Sequence, residues 1–425
     1  MHAPDIDLMA INPNQVATLL IAAAVGNALL LRLWQVPSVT KPSAPAKWIT
    51  GLLVAILPVA LCLAGWEMYW NRSEDVMLGV MLYLPIQTTF VAYVFFRHNR
   101  RCVTPAGWQR LLLGNCLVLL VPLTLTLAVG EIYFRFFYDT TDSIAYTKVS
   151  QRWIKRHYQY NKSKFRDNVE YSLTIAPGKR RVSFLGDSFT AGHGIKRVED
   201  RFSNRIRHLH PDWEIHVLAV NGLNTGGELA LVESHTSRGY VLDRVVLVYC
   251  LNDINDLLDD WNKALEAAAG KVSRRLPFYD DSYFLDTFYY RFTIARLPWI
   301  KDYFSYVREA YRGAKWHEQK QRLRALRDLI AERGGQLSVV TFPFMNALGA
   351  DYKYQFIHDA LGGFWREEQV PHLDLLPVFQ DYAPAQLTVN AFDAHPNELA
   401  NQLAAEAINR FLVYQRKTNS PPPGN

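Results

Sequence analysis

Val182-Ser-Phe-Leu-Gly-Asp-Ser-Phe-Thr-Ala-Gly192 decides how the larger part of this 425-residue chain is read. An apolar run of strand length ends at Gly186, and Asp187-Ser188 follow at its carboxyl edge. A serine there can present its hydroxyl to a cleft, but it needs a base to become a nucleophile. Four further runs rich in Val, Leu and Phe follow the first, Arg181–Leu185: Glu214–Val220, Val245–Cys250, Leu337–Phe342 and His372–Val378. Such composition suits strands buried on both faces. Helical patterns lie between and after them. Over 319–333, Leu323, Leu326, Leu329 and Ile330 share one face, and Gly334-Gly335 is a stop signal. Over 397–415, Leu399, Leu403, Ala407, Ile408 and Phe411 recur at helical spacing. Alternation of this kind predicts a parallel five-stranded sheet covered by helices on both sides, with function gathered at the carboxyl ends of the strands.

The first third of the chain is far more apolar. Four stretches, at about 15–33, 50–66, 76–96 and 111–130, carry no Asp, Glu or Lys in their interiors. Each approaches the roughly 20 apolar residues that cross a bilayer core, and Trp34, Trp48, Trp66, Tyr69, Trp70 and Phe95 sit near their ends, as interfacial rings do. The first stretch follows Asp5 and Asp7 rather than a basic segment, which argues against a cleaved signal peptide. The first loop carries Arg32, Lys41 and Lys47, and the third carries Arg97, Arg100, Arg101 and Arg110. The second has only Arg72, beside Glu67, Glu74 and Asp75. The positive-inside rule therefore predicts a multi-pass protein of the inner (plasma) membrane, with both termini and the C-terminal domain outside the cytoplasm.

The expected organisation is a four-helix transmembrane region over 1–132, a connector over 133–180, a catalytic domain over 181–417 and a flexible tail over 418–425. The domain contains an aromatic insert at 271–316, read as a helical cap with its own small core; its rings suit sugar stacking or lipid contact equally. A net charge of +6 without a run of five basic residues argues against nucleic acid as a partner. Cys62, Cys102, Cys116 and Cys250 include no Cys-x-x-Cys pair, so they read as free thiols rather than as a disulfide framework or zinc site. Gly222 to Gly227 does not match a phosphate-binding loop. No cofactor and no metal is implied.

A base for Ser188 is available in Phe392-Asp-Ala-His-Pro-Asn397, at the expected start of the last helix. His395 suits that role, and Asp393 can fix its tautomer and stabilise its charged form. His193 is a rival base, but it lies within one local turn of Ser188 and reads as a loop residue. Asp187 and Asp253 read as structural.

Four segments together resemble the SGNH/GDSL hydrolase family, over about 181–415. They are Gly186-Asp187-Ser188-Phe189, Asn221-Gly222-Leu223-Asn224-Thr225, Cys250-Leu251-Asn252-Asp253 and Asp393-Ala394-His395-Pro396-Asn397. The resemblance implies an α/β three-layer domain of flavodoxin-like type behind the α-helical transmembrane region. It implies a catalytic Ser188, His395 and Asp393, and an oxyanion hole from the N–H groups of Ser188 and Gly222 with the Asn252 amide. Two positions depart from the family pattern: Cys250 stands where glycine is usual, and Asp393 lies two rather than three residues before His395.

The function so implied is that of a membrane-anchored extracytoplasmic serine esterase working through an acyl-enzyme. Its substrates would be acylated carbohydrates or other esters, foremost O-acetyl or acyl groups on envelope or exported glycans, with the lipid bilayer as its other partner. The same residues suit an O-acyltransferase moving an acyl group onto a polysaccharide, served by a membrane acyl-donor protein, or a lysophospholipase. A non-enzymatic scaffold is disfavoured because Ser188, Asn252 and His395 are all in place.

Overall fold

The computed structural model describes residues 74–100, 107–258, 281–297 and 302–419. The expected spans at 15–33 and 50–66, the thiols Cys62 and Cys102, and the tail beyond 419 lie outside them. The chain divides into two compact units: Met1–Asp139 with Arg275–Tyr290, and Thr140–Arg274 with Arg291–Asn425.

In the first unit, α1 runs Glu74–Asn99 and α2 runs Trp108–Ile132, the latter continuing through a wider turn at Tyr133–Phe137. Met77–Arg97 and Trp108–Phe137 are long and apolar enough to cross a membrane. They correspond to the expected spans at 76–96 and 111–130. The two helices pack through Ala92, Phe95 and Leu117, and Thr88 and Thr124 share a hydrogen bond of 2.9 Å. Leu112, Val118, Leu119, Leu123 and Val129 of α2 remain exposed. Glu131, near the end of α2, is buried. It accepts from the Ser282 hydroxyl and the Tyr283 and Phe284 N–H groups (2.7, 3.2 and 3.1 Å), around the start of a helix from the aromatic insert. The free N–H groups of a helix start need such an acceptor. Residues 281–290 of the insert thus group with the apolar helices.

The second unit begins with α3 (Lys148–His157) and then enters the sheet. The parallel strands are β1 Arg180–Gly186, β2 Trp213–Ala219, β3 Arg244–Cys250, β4 Gln336–Phe342 and β5 His372–Asp374, in the spatial order β2-β1-β3-β4-β5. Successive strand residues face opposite ways. Val245, Leu247 and Tyr249 of β3 thus enter one core with Val232, Leu323, Leu326, Ile330, Leu361 and Trp365. Val246, Val248 and Cys250 enter the other with Phe202, Ile206, Phe379, Ala404 and Ile408. The result is the expected three-layer α/β fold. Helices Thr225–Ser237, Ala314–Glu332 and Gln355–Glu367 cover the first face; Phe202–Leu209, Leu376–Phe379 and Glu398–Asn419 cover the second.

The structure departs from the sequence reading in three places. The last parallel strand ends at Asp374 rather than at 378, because Leu376-Pro377-Val378-Phe379 is a helical turn. Pro377 cannot donate to a strand ladder, while its fixed φ suits a first helical turn. His395 lies not at the start of the last helix but on β7 (Asp393–Pro396), which pairs antiparallel with β6 (Thr388–Asn390). The helix begins after Asn397, whose side chain accepts from the Ala400 N–H. Residues 140–180, read as a connector, are folded into the second unit, with Thr141, Asp142, Trp153, Phe165, Arg166 and Asp167 buried.

Candidate active site

In the order β2-β1-β3-β4-β5 the connections reverse direction at β1, so loops leaving the carboxyl ends of β1 and β3 diverge and leave a crevice. Ser188 sits there. Gly186 permits the approach: a Cβ on it would stand 2.5 Å from the Thr190 hydroxyl and 2.9 Å from the Val248 carbonyl oxygen. Asp187 caps the short helix Ser188–Ala191, its Oδ1 accepting from the Phe189 N–H at 2.9 Å. Gly192 ends that helix at φ 75°, a left-handed conformation that a side chain disfavours. The turn directs the Ser188 hydroxyl toward β7.

The Ser188 Oγ lies 2.8 Å from His395 Nε2, and His395 Nδ1 lies 2.5 Å from Asp393 Oδ1. A carboxylate only accepts, so His395 Nδ1 keeps its proton and donates it to Asp393, and Nε2 is left free to accept from serine. Asp-x-His spacing suffices here because β7 is extended, and Asp393 Oδ1 also accepts the His395 backbone N–H at 3.1 Å. Burial lowers the His395 pKa, but the Asp393 charge and hydrogen bond, then Asp187 and Asp142, outweigh it and hold the group above its ordinary 6.5. Burial alone would raise Asp393; the His395 charge and hydrogen bond, then His193 and Thr141, hold it well below the usual carboxylate range.

Gly222 and Asn252 follow β2 and β3 at the same sheet edge, Gly222 in an exposed turn at φ 77° and Asn252 in the turn that leaves Cys250. Asp253 braces the latter, accepting from the Cys250 N–H at 2.9 Å, a structural contact. Cys250 points its thiol at Asp187 Oδ1 (3.3 Å). Burial drives the Asp187 pKa up, and the Phe189 N–H, His395, Cys250 and the Asn252 amide offset part of that. Burial also pushes Asp253 and Glu228 well above their ordinary values, with the Glu228 and Asp187 charges adding to the rise at Asp253 and the Asp187 and Asp256 charges adding to it at Glu228.

Three contributors to this site have no sequence signature. Thr141 donates its hydroxyl to Asp393 Oδ2. His193, read as a loop residue, is buried, with Nε2 3.1 Å from the Asp142 carbonyl and 3.5 Å from Asp393 Oδ2. Asp142 holds the turn before α3 by accepting from the N–H groups of Ile144, Tyr146 and Thr147. Burial pushes its pKa up to about 6 against the Thr147 hydrogen bonds, with the Asp393 charge adding to the rise. His193 is not placed as the base, since its nearest partners are Asp142, Asp393, Asn221 and Tyr158.

His193, Asp393 and His395 also form a group whose potential ligand atoms lie within 4.8 Å of one another. Asp393 lies within reach of both imidazoles, and the Ser188 hydroxyl takes the remaining ring nitrogen of His395.

The sequence matches no protein-family model and no curated protein. Among solved structures, the chain is similar to TesA, at 13% identity and a TM-score of 0.35, over 55% of this chain and 98% of that one. It is similar to the psychrotrophic esterase EstA from Pseudoalteromonas sp. (12%, TM-score 0.36, 56% and 100%) and to Axe2, an acetylxylan esterase from Geobacillus stearothermophilus (14%, TM-score 0.34, 56% and 96%). These likenesses are too slight to bear on the chemistry, which stands on the hydrogen-bonded side chains alone.

Proposed function

We propose that this chain is a serine esterase of the SGNH/GDSL type, anchored in a membrane and acting outside the cytoplasm on O-acyl groups of envelope or exported glycans. The observation that carries the reading is the continuous relay Ser188–His395–Asp393, with 2.8 and 2.5 Å contacts, at the carboxyl edge of a parallel sheet. Ser188 Oγ attacks the ester carbonyl while its proton passes to His395 Nε2. Asp393 stabilises the imidazolium formed. Negative charge developing on the carbonyl oxygen is met by the N–H groups of Ser188 and Gly222 and by the Asn252 amide; one such donor is worth about 10²–10³ in kcat. His395 returns the proton to the departing alkoxide, leaving an acyl-enzyme that water resolves by the same steps in reverse.

Membrane anchoring is supported by Met77–Arg97 and Trp108–Phe137. The latter, 30 residues long, would extend about 45 Å as a regular helix against a hydrocarbon core of about 30 Å. An extracytoplasmic active domain is supported by the Arg and Lys bias of the loops. Glycan esters are favoured because acylated envelope polymers are esters available on that side. The full-length protein, purified in detergent, should hydrolyse p-nitrophenyl acetate, and Ser188→Ala should lower the rate at least about 10³-fold. Equal hydrolysis by the variant would overturn the proposal.

A further inference from the structure

We infer that the chain directly after Asp139 is part of the catalytic site, and that Thr141 and His193 are positioning residues for Asp393. The inference rests on Ser188–His395–Asp393 as the working relay. Asp393 Oδ1 is taken by His395, through both its ring and its backbone N–H. Oδ2 faces the other way and is held by the Thr141 hydroxyl, with the His193 N–H beside it. Rotation of the carboxylate would therefore break contacts at both ends, so Thr141 and His193 fix the plane in which the Nδ1 proton is received.

The proton assignments follow from the acceptors. A carbonyl cannot donate, so His193 carries its proton on Nε2, shared between the Asp142 carbonyl and Asp393. His193 Nδ1 is then an acceptor, and Asn221 Nδ2 lies 3.3 Å from it. Tyr158 in turn donates to Asn221 Oδ1 at 3.0 Å. One directional chain thus runs Tyr158, Asn221, His193, Asp393, and it passes through the residue beside Gly222. The turn offering an oxyanion donor and the carboxylate of the relay are held by the same imidazole. Burial, then the His395 charge, keeps His193 low, at about 4, so it stays neutral and keeps this polarity at ordinary pH. Thr141 is placed by its neighbours. Asn390 Nδ2 donates to the Thr141 carbonyl at 2.9 Å, and Asp142 ties the following turn to Thr147.

Losing one charge-assisted donor to Asp393 should slow the chemical step without touching substrate binding. In the full-length protein, Thr141→Val should lower kcat about 10- to 100-fold with KM changed less than about twofold. Thr141→Ser, which keeps the donor, should stay within about threefold of the native rate. His193→Ala should lower kcat, and His193→Gln, whose amide can reach the Nε2 position, should recover most of it. Thr141→Val should also move the acid limb of kcat/KM to higher pH. An Asp393 charge stripped of a donor favours the His395 imidazolium more strongly, and the other titratable neighbours of the pair, Asp142, Asp187 and His193, are unchanged. Equal kcat and limb for Thr141→Val and Thr141→Ser would overturn the inference, as would a purely thermal loss of stability with native kinetics in the folded fraction. Asp393→Asn separates the two levels. If it is inactive while the Thr141 and His193 variants are native, only the positioning role fails; if it is itself fully active, the relay fails and the inference with it.

Discussion

Ser188, Asp393 and His395 are legible because each sits in a short motif, Ser188 at a predictable strand end, and extended backbone at β7, which the sequence does not announce, reconciles the Asp-x-His spacing with a hydrogen-bonded pair. Thr141 is not legible. A single threonine in a polar stretch has no periodicity, and its value comes from a contact across 252 positions of sequence. His193 is legible only as a neighbour of the nucleophile; nothing local indicates that its ring is buried against Asp393. A pH dependence follows at this scale. His395 must be neutral to accept the serine proton, and Asp393 holds its pKa above 6.5 despite burial. For an uncharged ester, kcat/KM should therefore rise with pH through a midpoint above 6.5. Asp393→Asn removes the charge and leaves burial, which favours the neutral ring, so residual activity should titrate at a lower midpoint. An unchanged midpoint would show that Asp393 does not set the His395 charge.

Among the elements, the four longer parallel strands can be read to within a residue or so at each end, because two-sided burial writes a continuous apolar run. The short ones cannot. β5 is cut to three residues by the helical turn carrying Pro377, and β6 and β7, three and four residues long, are too brief for any period to register. The apolar helices give the strongest signal of all, since a stretch of bilayer length without acidic residues or lysine offers no charged face to water. Their orientation rests on Arg97, Arg100, Arg101 and Arg110 between the last two expected spans. Alkaline phosphatase, active only outside the cytoplasm, should be active when fused after Asn425 and inactive when fused after Arg101. The reverse pattern would reject the extracytoplasmic placement of the active domain.

At the scale of the whole molecule, the units do not follow the sequence blocks. The aromatic insert reads as a single cap, yet its segment through Tyr290 groups with the apolar helices, where Glu131 accepts from its helix start. The connector reads as passive, yet from Thr140 onward it belongs to the sheet unit and supplies Thr141. Both reassignments go with buried polar contacts between segments remote in sequence, which composition does not encode. The proposed chemistry turns on one serine, at the edge of the sheet, becoming covalently acylated. The most direct measurement is peptide mass mapping of the full-length protein after reaction with a fluorophosphonate. A single phosphonyl adduct should form on Ser188, faster as pH rises through the His395 midpoint, and be absent after His395→Ala. An adduct on another residue, or labelling of Ser188→Ala at the native rate, would contradict it.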